Sequence, residues 1–215
     1  MSQHTSAEPT AHQPGAERDR ETESARAVAR DALVRIERDG AYANLVLPGM
    51  LDRSRLADRD RRFATELTYG ATRRRRSLDH LLDRHLRHRP DPETMAVLRL
   101  GTYQLLATNV PAHAAVDTSV GMAPQRTRRL VNAVLRRVST DVAGGPVIWP
   151  SRAVELSYPD WIVDRLTADL GDARAWAALE AMNVARGATR REDGYVQDPA
   201  SQWVAALVAA DGPPV

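Results

Sequence analysis

Pro92–Val120 reads PETMAVLRLGTYQLLATNVPAHAAVDTSV, and its first half decides the fold. Met95, Val97, Leu98, Leu100, Leu105 and Leu106 leave little of a helical circumference polar, the pattern of a central helix enclosed by others. Pro92 suits a first helical turn, where no amide hydrogen is needed, and Glu93 favours the positive end of the helix dipole. Gly101 costs about 1 kcal/mol relative to alanine inside a helix, so a neighbouring helix is expected to approach closely there. Asn109-Val110-Pro111 ends this helix and opens another through Ala114, Ala115, Val116 and Val120.

Working upstream, Ala25, Ala29, Ala32, Leu33 and Ile36 form one helical stripe that Gly40 stops. Leu45, Val46, Leu47, Met50 and Leu51 make a short helix whose regularity Pro48 limits. Asp58 is a candidate cap for a third helix burying Phe63, Leu67 and either Tyr69 or Gly70. Leu78, Leu81, Leu82 and Leu86 mark a fourth, ending before Arg89-Pro90-Asp91-Pro92. Downstream, a helix spans about Thr127 to Val138, and Gly144-Gly145-Pro146 reads as a linker. Two more helices follow, Tyr158–Leu170 and Asp172–Met182, divided by Gly171. Residues 183–196 are aperiodic and predicted to be loop, and Ser201–Ala210 is a last apolar helical segment. Residues 1–25, polar and nearly free of large apolar side chains, are expected to be a disordered tail. With no strand pattern and no internal repeat, the reading is all-α.

Composition agrees. Hydrophobic residues make up 43% of the 215 and aromatics only 5%, so the core must be Ala, Leu and Val, which suits packed helices over a β-sandwich. The absence of cysteine removes disulfides, thiolate metal sites and a cysteine nucleophile. The longest apolar run, Trp203–Ala210, falls far short of the roughly 20 residues that span a bilayer. Without a signal-like stretch, a cytoplasmic protein with no membrane partner is expected. All 30 basic residues are arginine, and they are unevenly spread. Residues 26–140 carry 22 Arg against 12 acids, while both flanks are net acidic. A basic middle suggests a polyanionic partner, and the guanidinium fork grips phosphate well.

Several strings carry a resemblance. Asp58–Gly70 reads DRDRRFATELTYG and is followed by Arg73-Arg74-Arg75-Arg76-Ser77-Leu78-Asp79. Leu98–Val120 reads LRLGTYQLLATNVPAHAAVDTSV, and Val131–Arg137 reads VNAVLRR. Together these resemble the N-terminal NusB-like domain of bacterial 16S ribosomal RNA cytosine-5 methyltransferases, the Sun or Fmu family. LSYPDWIVDRL at Leu156–Leu166 looks like that family's segment after the NusB-like part, and VQDPASQ at Val196–Gln202 looks like the opening of its methyltransferase domain. Free NusB shares the Val-Asn-Ala-Val-Leu string but lacks these two segments.

The resemblance implies an organisation. Residues 26–142 form a NusB-like RNA-binding helical bundle, 143–186 a linker and short helical extension, and 187–215 the truncated start of a Rossmann-like methyltransferase domain. The family's glycine-rich S-adenosylmethionine loop has no counterpart here, so no cofactor is expected in this chain. Methylating carbon 5 of cytosine requires a nucleophile to add at carbon 6, and the resemblance implies a thiolate for that role. A chain without cysteine supplies none, and acting alone it is expected to be inactive. The resemblance implies RNA, ribosomal RNA foremost, as partner. A rival reading is a stand-alone regulator like free NusB, binding single-stranded RNA with a ribosomal protein.

The candidate RNA contacts are Arg73, Arg74, Arg76, Arg126, Arg129, Asn132, Arg136 and Arg137. On a helical wheel Leu130, Val131, Val134, Leu135 and Val138 gather on one side. Arg129 and Arg136 point nearly opposite, flanked by Arg126, Asn132 and Arg137: an amphipathic helix offering arginines to phosphate. Arg73–Arg76 splay through about 300° on a helix. They either converge on a backbone where the helix loosens or pair with Glu66 and Asp79; both readings stand. His80, His85 and His88 have no metal-ligand spacing, and Asp117-Thr118-Ser119 has no triad partner. Trp161 and Trp176 read as core or interface anchors, with stacking of Tyr158 and Trp161 on a flipped base the weaker reading.

Overall fold

A computed structural model describes residues 14–184, 189–190, 193–195 and 201–202. The bundle comprises α1 (Pro14–Asp39), α2 (Ala43–Arg53), α3 (Asp58–Arg73), α4 (Arg75–Asp83), α5 (Pro92–Ala107), α6 (Ala112–Met122) and α7 (Arg128–Ala143). A 3₁₀ turn, Gln125–Thr127, leads into α7. Beyond the bundle come α8 (Arg152–Glu155), α9 (Asp160–Leu170) and α10 (Asp172–Asn183). No strand forms among the described residues.

α5 is the axis. Every residue from Thr94 to Gln104 is buried, because α1, α3, α4, α6 and α7 all pack on it. Asp91 caps it, accepting from the Thr94 amide at 3.1 Å and the Thr94 hydroxyl at 2.8 Å. Gly101 is the point of close approach expected from the sequence: a Cβ there would lie 2.6 Å from Leu135 Cδ1 on α7 and 2.8 Å from Ser119 Oγ on α6. Gly70 does the same for α3, since a Cβ would meet the Tyr103 ring at 2.1 Å. The Tyr103 hydroxyl donates to Glu66, and Glu66 pairs with no arginine among the described residues. A smaller cluster, Ala25, Ala32, Leu47, Leu51 and Ala64, joins α1, α2 and α3.

Charge also enters the core. Arg99 on α5 is 4% exposed. Its Nε and Nη2 donate to Asp79 at 2.7 and 2.9 Å, and its Nη1 donates to Glu37 at 2.9 Å. Burial opposes the guanidinium charge, but Asp79 and Glu37 outweigh it and raise the pKa above the ordinary arginine value. The network ties α1, α4 and α5 together.

Several local expectations are corrected. Asp58 is the first residue of α3 and makes no capping bond; Ala57 occupies the cap position, and Asp58 and Asp60 instead favour the helix dipole. Leu130 is 38% exposed, outside the buried stripe of α7. α1 begins at Pro14, inside the segment expected to be disordered. Glu, Arg and Ala are good helix formers, and Pro suits the first turn. The post-linker helix begins at Asp160, after the four-residue α8 that periodicity is too short to reveal. By internal contacts the chain divides into residues 1–166 and 167–215. Most of the segment read as the start of a methyltransferase domain, and the Ser201–Ala210 helix beyond Gln202, lie outside the described residues.

Candidate nucleic-acid interface

α7 buries Val131, Val134, Leu135 and Val138 and turns Arg129, Arg136 and Arg137 to solvent. Its arginines divide by what they touch. Arg128 donates to the carbonyls of Ala123 and Gly121 at 3.3 Å, where the end of α6 is electronegative. Arg126 pairs with Asp91 at 3.2 Å yet keeps 69% of its side chain exposed. Arg136 donates from Nε to Asn132 Oδ1 at 2.9 Å, so Asn132 is engaged within its own helix. The side chains of Arg129 and Arg137 make no hydrogen bond or ion pair among the described residues. No acidic side chain occupies the first turn of α7, so Arg129 sits at the positive end of the helix dipole without compensation.

The arginine run behaves differently. Arg73 ends α3 exposed, and Arg74 forms the joint with φ −92° and ψ 16°. Arg75 reaches Glu37 at 2.8 Å. Arg76 holds both carboxylate oxygens of Asp160, at 2.8 and 2.9 Å, and donates to the Tyr158 carbonyl. That bidentate bond keeps the Asp160 carboxyl below its ordinary range. Ser157 Oγ accepts from the amides of Arg76 at 2.9 Å and Ser77 at 3.3 Å, capping α4 from 80 positions along the chain. Ser77 Oγ in return donates to the carbonyls of Val154 at 2.7 Å and Glu155 at 3.0 Å. Ser157 takes a left-handed φ of 65° to do so. Trp149 adds a tilted ring contact with His80, centroids 5.8 Å apart. Residues 149–160 thus form a strap along α4. Of the four arginines, Arg75 and Arg76 serve internal pairs, while Arg73 and Arg74 have none among the described residues.

His85 Nε2 lies 2.8 Å from Asp141, and no group of three His, Cys, Asp or Glu side chains placed to hold a metal occurs among the described residues. Trp161 is 70% exposed, so it is not a core residue. Sequence reasoning missed Arg99 and the strap. The Ser-Tyr-Pro-Asp string was the available signal for the strap; nothing local marked Arg99. Among the described residues no strand precedes a glycine-rich turn, and the chain has no cysteine. These residues do not fit S-adenosylmethionine, and no methyl-transfer step is assigned to them. No described helix is long and apolar enough to cross a membrane.

A model of the NusB family matches residues 23–140, more than half of the chain. The chain belongs to the NusB family. Ribosomal RNA small subunit methyltransferase B of Thermus thermophilus is 41% identical to this NusB-family chain over 153 residues, covering 68% of it and 36% of the enzyme. The enzyme of the same name from Pseudomonas putida is 33% identical over 170 residues, covering 74% and 37%. A Mycobacterium tuberculosis protein named as a candidate methyltransferase is 37% identical over 175 residues, covering 73% and 38%. The chain therefore spans little more than a third of the length of these curated relatives. Among solved structures, T. maritima NusB superposes with a TM-score of 0.52 at 23% identity, covering 56% of this chain and 91% of that one. A NusB solved with NusE and double-stranded RNA gives 0.50 at 22% identity, covering 56% and 97%. These likenesses bear out the all-α NusB fold.

Proposed function

We propose that this chain is the RNA-gripping part of a ribosomal RNA cytosine-5 methyltransferase, working in the cytoplasm and holding folded ribosomal RNA by phosphate and shape. The carrying observation is the solvent face of α7, where Arg129 and Arg137 are exposed and unpaired beside Arg136 and Arg126. Arginines set aside from internal pairs are free to release counterions when they meet phosphate. Arg73 and Arg74 supply a second contact at the α3–α4 joint. Arg76 joins them only if phosphate displaces Asp160, and Asn132 only if Arg136 lets it go. Identity to methyltransferases along two thirds of the chain supports the target class. S-adenosylmethionine and the reacting cytosine would be bound by residues outside those described.

The NusB fold is equally compatible with a second reading, a regulator that binds single-stranded RNA with a ribosomal protein; a NusB of this fold has been solved with NusE and double-stranded RNA. Fluorescence anisotropy separates the two. A ribosomal hairpin, a single-stranded antitermination signal and a scrambled strand are titrated at several salt concentrations. Preference for the hairpin with a steep salt slope supports the targeting domain, and preference for the single strand supports the regulator. Absence of binding near physiological salt would sink both.

A further inference from the structure

α6 and α7 pack side by side, and between them opens a cleft of about 340 Å³ bordered by His113, Val116, Asp117, Arg136, Ser139 and Thr140. That volume is at the low end of the roughly 300–1,000 Å³ typical of small-molecule sites. It is large enough for a single planar ring. Asp117 is exposed, and its side chain makes no hydrogen bond or ion pair among the described residues. Its carboxylate repels phosphate, yet it borders the same cleft as Arg136 of the arginine face. Arg136 commits Nε to Asn132, leaving its two terminal amino groups available.

We infer that this cleft is a subsite for one unpaired RNA base bearing an exocyclic amino group, and that Asp117 is the residue that rejects uracil. An ionised carboxylate only accepts hydrogen bonds. The amino group of cytosine donates to it. Uracil presents a carbonyl oxygen at the same position, so two acceptors would face each other with no proton between them. Sites built around a required donor reject the analogue lacking it strongly, because their own polar group is left unpaired. Arg136 complements the carboxylate by donating to the ring and carbonyl acceptors of the same edge. Bases splayed from single-stranded loops are what such a cleft can receive.

The inference rests on the proposed RNA role of α7, and the test keeps the two apart. The full chain is titrated with a hairpin carrying cytosine at one loop position and with the same hairpin carrying uracil there. The wild type is expected to prefer cytosine about tenfold, the lower part of the range for a good base contact. Asp117→Asn should lose that preference, chiefly by binding the uracil hairpin more tightly, since the amide can turn its NH₂ toward the carbonyl. Arg129→Glu with Arg137→Glu should weaken both hairpins alike and keep the ratio. Equal wild-type affinities at every loop position, with salt-dependent binding intact, would overturn the subsite and leave the RNA role standing. A preference that survives in Asp117→Asn would overturn the role of Asp117. No binding to either hairpin would overturn both readings. Because Asp117 is exposed and unpartnered, the variant should unfold at the wild-type temperature, which a thermal melt checks.

Discussion

Replacing Ser157 tests whether the strap finishes α4 from a distance. Ser157 contributes two opposed terms. Its hydroxyl accepts from the Arg76 and Ser77 amides, and losing a serine cap costs about 1 kcal/mol. Its left-handed φ of 65° costs a residue with a Cβ roughly 1–2 kcal/mol. Ser157→Ala removes the first term and keeps the second, so it should destabilise by about 1 kcal/mol. Ser157→Gly also removes the cap but relieves the strain, offset by about 0.5–1 kcal/mol of extra backbone entropy lost on folding. The glycine variant should therefore be the more stable of the two, by up to about 1.5 kcal/mol. Thermal unfolding should place the alanine variant about 2–4 °C below wild type, with glycine between them. Hydrogen exchange supplies the local reading, since the Arg76 and Ser77 amides should lose protection in both variants while the α5 amides keep theirs. Unchanged exchange at residues 76 and 77 in Ser157→Ala would refute the reasoning, whatever the melting temperature does.

Other expectations follow from the same geometry. Arg129→Glu with Arg136→Glu should weaken RNA binding several-fold and flatten its salt dependence without lowering the melt, since a glutamate at position 129 suits the positive end of the α7 dipole; unaltered affinity would remove α7 from the interface. Gly101→Ala gains about 1 kcal/mol of helix propensity but drives a methyl into Leu135 and Ser119. It should lower stability by about 1–2 kcal/mol in denaturant unfolding, and a stabilised variant would mean the helices are further apart. Thr102, whose buried hydroxyl has no hydrogen-bond partner among the described residues, should accept valine with stability unchanged or raised by about 1 kcal/mol. Asp91 titrates below the ordinary aspartate range: burial pulls the other way, but the Thr94 amide and hydroxyl and Arg126 prevail. A depressed folded pKa contributes stability that is complete above the unfolded value, about 3.9, and is lost as pH falls through the folded one. Asp91→Asn should therefore lose less stability than wild type between pH 5 and pH 2, measured by urea unfolding.

What was legible in the sequence was what local spacing records. The enclosed character of α5, its Pro92 start, the close approach at Gly101 and the stop at Gly40 are encoded within a turn or two of the residue concerned. The exposure of Arg129 and Arg137 was legible too, because opposite faces of one amphipathic helix follow from its period. The buried role of Arg99 was not, since Glu37 lies 62 positions away and Asp79 lies 20. For the same reason Arg76 read as a candidate phosphate ligand, with Asp160 84 positions distant. An arginine's fate depends on which carboxylate the fold brings to it, and periodicity carries no such information. The cleft beside Asp117 escaped because it is made jointly by two helices whose packing angle no single stripe specifies.

The strap also bears on where the bundle stops being self-sufficient. Cut after α7, the bundle would keep every one of its long helices and still lack the serine that closes α4 and the carboxylate that quiets Arg76. The stretch that reads as a tether is the bundle's last component. A fragment meant to behave as this domain should run through Leu166, and a partner fused any earlier would inherit a frayed joint beside Arg73 and Arg74.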